Sequence, residues 1–125
     1  MDVVFFDASV LFKAAVCRFL LGAAQADEIR AIWSEQVVQE ARHALDRAGR
    51  TGARAALEEN LQLVRDPLVP PDDDVERSLT HTHVDDRHVL AAAHSGGATI
   101  LVTDKPEALQ RCRGRRTRNL RDDVR

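Results

Sequence analysis

A chain of 125 residues, 44% of them hydrophobic and 30% charged, is long enough to bury a core without disulfide or metal staples. Its formal net charge of −2 excludes a polycation that coats nucleic acid, so any such contact has to be local. The apolar segments are too short to span a bilayer and the start, Met1-Asp2, is acidic, which predicts a cytoplasmic protein with no signal peptide and no membrane span.

The run Val3-Val4-Phe5-Phe6 is apolar without alternation, as in a central strand buried on both faces of a parallel sheet, and it ends in Asp7. In open α/β sheets the carboxyl ends of the strands form the rim where ligands bind. Asp7 is therefore either a cap for the next helix or a rim carboxylate. From Ala8 to Ala24, Val10, Leu11, Ala14, Ala15, Phe19 and Leu20 recur at helical spacing and predict one crossover helix with an apolar stripe, its end marked by Gly22. Ile29 to Trp33 predicts a second strand. Ser34 caps the helix that runs on to Ala48, with Val37, Val38, Ala41, Ala44, Leu45 and Ala48 as its buried stripe. Glu40 falls within that arc, where a carboxylate is costly unless it snorkels outward, pairs with an arginine or meets a cation.

After Gly49 and Gly52 a further helical stretch carries Ala53, Ala56, Leu57 and Leu61, with Glu58 and Glu59 on the solvated side. Leu63-Val64-Arg65 predicts a third, short strand, stopped by Asp66-Pro67 and Pro70-Pro71. Asp72-Asp73-Asp74 makes an acidic loop, and Val75 to Leu79 adds a turn or two of helix. Asp85 and Asp86 then open a helix with a small-residue face, Ala91-Ala92-Ala93, closed by Gly96-Gly97. Capping accounts for one of these two aspartates and leaves the other over. Ala98 to Val102 repeats the opening grammar and ends in Thr103-Asp104, so Asp104 reaches the rim of Asp7 if the two strands are parallel neighbours.

Gly96-Gly97 precedes a strand and opens no helix, which leaves a phosphate loop or dinucleotide site unsupported. The histidines lack zinc spacing, and Cys17 and Cys112 match no metal or redox pattern and are read as reduced thiols. Arg111, Arg113, Arg115, Arg116, Arg118 and Arg121 make the last stretch basic, either a solvated tail or a contact for phosphate or an acidic partner.

Four pieces in order carry a family resemblance: a strand ending in Asp7-Ala8-Ser9-Val10-Leu11, a helical Glu40 after Trp33-Ser34, the helix Asp86-Arg87-His88-Val89-Leu90-Ala91-Ala92-Ala93, and the strand end Val102-Thr103-Asp104. Together they resemble the PIN-domain family, and within it the VapC-type toxin ribonucleases, over roughly residues 3 to 107. The resemblance implies an α/β chain, a three-layer α/β/α fold with a central, mainly parallel sheet of four to five strands, forming one domain over residues 1–125. It also implies Mg²⁺- or Mn²⁺-dependent cleavage of RNA. Carried over residue by residue, Asp7, Glu40, Asp86 and Asp104 match the catalytic, metal-binding acids. Asp85 competes for the third place, and Asp86 is preferred because it directly precedes the Arg-His-Val-Leu-Ala-Ala run. Ser9 and Thr103 match the supporting polar residues, and Glu107 stands where many members have another aspartate. RNA is expected along Arg87, Arg113, Arg115 and Arg116; the partners implied are RNA, a small antitoxin protein and a second copy in a homodimer, with no membrane. The chain departs from the family after Asp104, where Lys105-Pro106-Glu107-Ala108-Leu109 leads into the arginine-rich end and Thr117 to Leu120 is the only remnant of a last strand.

Carboxylates gathered at one rim repel one another, and a hard divalent cation that prefers oxygen ligands relieves that repulsion. Two further functions compete with a ribonuclease. One is a catalytically silent PIN-like binding module held by an antitoxin-like partner. The other, a phospho-acceptor receiver domain, needs an acidic pair after the first strand and an acceptor aspartate near mid-chain, where this chain has Ala8 and Ala53-Arg54-Ala55. A haloacid-dehalogenase-type phosphatase needs an aspartate where Ser9 stands.

Overall fold

The computed structural model describes residues 1–104. Three strands, β1 (Asp2–Phe6), β2 (Ile29–Ile32) and β3 (Ile100–Val102), form a sheet in the order β2-β1-β3. Both pairings are parallel, with Val4 opposite Ala31 on one side and Ile100 on the other. The unbroken apolar run thus lies in the centre, and Phe5 and Phe6 are fully buried. The sheet is flanked by helices, which makes this an α/β protein. Among the described residues it has three strands where four to five are expected.

The missing third strand has a local cause. Helix α4 (Thr51–Leu61) is followed by a turn in which the Leu63 N–H bonds Asn60 O, and Asp66 takes a left-handed φ of 50°. Leu63-Val64-Arg65 is spent on ending the helix, with Leu63 and Val64 packed against the core. Pairing resumes beyond it. Trp33 N–H donates to Pro67 O at 3.0 Å and Val69 N–H to Trp33 O at 2.9 Å, an isolated parallel bridge at the end of β2.

The crossover from β1 to β2 is two helices rather than one, α1 (Ala8–Phe12) and α2 (Ala14–Gln25), broken at Lys13. The break resets the helical phase. Val10 and Leu11 are buried before it, and Cys17 and Leu21, one turn apart, are buried after it, while Phe19 is left 82% exposed and outside the expected stripe. Gly22 does not end the helix, which runs on to Gln25. Burial pushes the Cys17 thiol up to about 11, as fits an unreactive core thiol; Cys112 lies outside the described residues.

Helix α3 (Glu35–Arg47) starts where Ser34 Oγ accepts from Val37 N–H, and it buries Val37, Val38, Ala41 and Leu45. It is clamped to α4 by Arg42, whose Nε and Nη2 both reach the Glu58 carboxylate at 2.8 Å. Arg54 joins Glu58 and Asp46. Glu58, expected on the solvated side, is therefore a partly exposed interhelical ion-pair partner, while Glu59 is exposed. The Arg42 hydrogen bonds hold the Glu58 carboxyl below the usual range, partly opposed by burial.

Asp72-Asp73-Asp74 forms the start of a helix rather than a loop. Asp72 caps α5 (Asp73–Ser78) through Asp74 and Val75 N–H, and the other two aspartates lie in its first turn, where the helix dipole favours them. Helix α5 packs on α6 (Arg87–Ser95). Gly97 supplies a φ of 73° after α6, and at Gly96 a Cβ would stand 2.5 Å from Ile32 Cδ1, so a larger residue there would make the Ile32 side chain shift. Phe6 and Trp33 meet at 5.9 Å between ring centroids in the core. Losing a buried aromatic of that kind costs about 3–5 kcal/mol.

Candidate active site

The parallel pairing of β1 with β3 brings the two strand-end aspartates to one rim. Asp7 N–H continues the ladder to Val102 O at 3.1 Å, and both chains then turn away. Asp7 is only 7% exposed, and its carboxylate is divided between two tasks. Oδ1 accepts from Ala8 N–H at 2.8 Å and caps α1. Oδ2 accepts from Thr103 Oγ1 at 2.8 Å and from Ser9 Oγ at 3.2 Å. Capping and rim are thus two oxygens of one side chain. Ser9 Oγ in turn accepts from Asp104 N–H at 2.9 Å, which fastens the end of β3 to the start of α1. Asp104 itself is half-exposed and ion-paired with Lys13.

Glu40 and Asp86 come from two other elements. Glu40 is more exposed than its position in the stripe suggests, and its Oε2 lies 3.0 Å from Nε2 of His88 on α6. His88 is 5% exposed and neither ring nitrogen has a hydrogen bond of good geometry among the described residues, so the contact with Glu40 is an approach of charge to ring and not an aligned bond. Asp85 and Asp86 lie in a 3₁₀ turn (Val84–Asp86) ahead of α6. Neither accounts for the capping there: His83 Nδ1 accepts from Asp85 N–H at 3.2 Å, and the Asp86 side chain makes no cap bond. Asp85 is exposed and Asp86 half-buried.

Asp7, Glu40, Asp86 and Asp104 all line one open cleft of about 510 Å³, together with Ser9 and Asp85. Two cationic side chains line it as well, Lys13 and Arg47. Both had signals in the sequence. Lys13 is the lone charge within Val10-Leu11-Phe12-Lys13-Ala14-Ala15-Val16, and Arg47 stands seven residues after Glu40, on the same helical face. Arg87 lies elsewhere: its Nε donates to Thr82 O at 3.0 Å, and it lines a separate cleft with Asp73, Glu76 and Arg77. Glu107, Arg113, Arg115 and Arg116 lie outside the described residues, as does the strand remnant Thr117 to Leu120.

The donors around the cleft are carboxylate and hydroxyl oxygens, the set a hard divalent cation prefers. Among the described residues no three acidic, histidine or cysteine side chains converge closely enough to enclose an ion. Mg²⁺ needs no such cage, because it is commonly held by one or two carboxylates with water and substrate phosphate completing the shell. The residues present fit it in kind.

Sheet and cleft together define an α/β protein with an acid-lined crevice at the carboxyl end of its parallel strands. The family model of the PIN domain matches residues 3–105, and the chain belongs to that family. PIN domains are in general nucleases. Among curated proteins and solved structures, none matches the chain. No helix of the described residues is long and apolar enough to cross a membrane.

Proposed function

We propose that the chain is a metal-dependent endoribonuclease, cutting RNA phosphodiester bonds as the VapC-type toxin of a toxin–antitoxin pair in the cytoplasm. The observation that carries this reading is that Asp7, Glu40, Asp86 and Asp104, from four separate parts of the chain, all line one cleft. Asp7, Asp86, Asp104 and Glu40 would hold Mg²⁺ or Mn²⁺, and the bound cation would supply an activated water and neutralise phosphate charge. Contacts of three of these acids support the reading. Thr103 and Ser9 hold Oδ2 of Asp7 in a fixed direction. Asp104 is kept at the rim by its backbone bond to Ser9. Glu40 reaches the cleft from α3, against His88.

The test is cleavage of single-stranded RNA by the purified chain. Cleavage in Mg²⁺ or Mn²⁺ that EDTA abolishes, and that Asp7→Asn or Asp104→Asn removes in folded protein, supports the reading; cleavage that survives those substitutions refutes it. The Lys13–Asp104 ion pair favours a second reading, a silent binding module held by an antitoxin-like partner. That reading predicts tight partner binding and no metal-dependent hydrolysis.

A further inference from the structure

Ion pairs sort the cationic side chains of the described residues. Arg42 is neutralised by Glu58, Arg54 by Glu58 and Asp46, Arg77 by Asp74 and Lys13 by Asp104. Arg47, in the last turn of α3, is exposed and has no acidic partner among the described residues, yet it lines the acid-lined cleft. One turn further on, Arg50 is exposed as well, and its guanidinium lies 5.3 Å from the ring centroid of Phe12. Phe12 lines the same cleft. One wall, built from α1, α3 and the turn into α4, therefore carries two cations without acidic partners among the described residues, beside five carboxylates that would by themselves repel a polyanion.

Phosphate backbones bind chiefly through such cations, and arginine is suited to them because its planar fork donates to two phosphate oxygens at once. Phe12 holds Arg50 by a cation–π contact, so less side-chain freedom is lost when a phosphate arrives. Building on the ribonuclease reading above, we propose that Arg47 and Arg50, the latter steadied by Phe12, are the wall that grips the phosphates of single-stranded RNA entering the cleft. The contact is to backbone and reads no sequence. Arg87, facing another cleft, takes no part.

Fluorescence anisotropy with a short labelled single-stranded RNA tests this, in Mg²⁺ and in an Asp104→Asn background that prevents turnover. Asp104 is half-exposed, so the background is expected to fold, and thermal melting checks each variant. Arg47→Ala and Arg50→Ala should each weaken binding roughly fivefold, alike for different RNA sequences, and lower the slope of log affinity against log salt by about 0.7. Arg87→Ala should leave both unchanged. Unaltered affinity and slope in the Arg47→Ala/Arg50→Ala double variant would overturn the proposal, as would an equal loss in Arg87→Ala. Binding of poly-glutamate in preference to RNA at this wall would assign it to an acidic protein partner and overturn it too. Failure here is distinct from failure of the ribonuclease reading: an otherwise unsubstituted chain that cuts RNA, with a KM unmoved by the double substitution, sinks only the wall.

Discussion

Thr103 donates its hydroxyl to Asp7 Oδ2 at 2.8 Å, across 96 residues of chain, and so ties the ends of two adjacent parallel strands through the carboxylate at their rim. Strand pairing alone would bring the two backbones together. This hydrogen bond fixes which way the acid points.

Removing that donor should therefore affect function more than fold. Thr103→Val, close in shape, should lower the melting free energy by about 1 kcal/mol, the net worth of one such bond, and cut RNA cleavage about tenfold as Asp7 loses its direction. Thr103→Ser keeps the hydroxyl and should retain most of the activity. Equal losses in the two variants, measured by cleavage rate and thermal melting, would contradict the role given to the hydroxyl.

Lys13 sets a second relationship, because its ammonium is ion-paired with the Asp104 carboxylate. A divalent ion bound at that carboxylate has to compete with it. Lys13→Met preserves the aliphatic stem and removes the charge, so Mn²⁺ affinity, followed by the loss of free-ion EPR signal, should rise about two- to fivefold, as expected for release of one half-exposed ion pair. Unchanged affinity would show that the pair does not guard the site.

The Arg42–Glu58 clamp between α3 and α4 predicts a pH dependence. The Glu58 carboxyl lies below its ordinary value in the folded chain, with the Arg42 hydrogen bonds as the first cause. A depressed carboxyl contributes stability that is present above the unfolded value and is lost as pH falls through the folded one. At neutral pH Glu58→Gln should lower the melting temperature by about 2–4 °C. The gap to the unsubstituted chain should close as the solution is taken below the ordinary glutamate range. A gap that stays constant down to low pH would assign the loss to packing instead.

The parts of this molecule that were legible in the sequence are those in which one physical signal dominates. The run Val3 to Phe6 reads as a strand buried on both faces, as Val4, Phe5 and Phe6 are, and Ser34, Val37, Val38 and Leu45 specify α3 by cap and spacing. What the sequence concealed came from competition between signals. Helical periodicity continues smoothly through Lys13, so the break there, and the change of phase that exposes Phe19, leave no mark in composition. Leu63-Val64-Arg65 has strand-like residues, but ending α4 takes precedence over pairing. At the cleft, Asp7 and Asp104 stood out as carboxylates at the ends of apolar strands, Glu40 drew notice as an acid within an apolar arc although its side chain turns out to be exposed, and Asp86 was singled out by family resemblance. Arg47 was less so, since an exposed arginine near a helix C-terminus is ordinary until the cleft beside it is known.

The central claim is that the carboxylates of the rim bind a divalent cation, and a crystal soaked in Mn²⁺ tests it most directly. An anomalous difference peak in the cleft, within coordinating distance of Asp7 and Asp104, is the predicted result. Anomalous density confined to other parts of the molecule would contradict it.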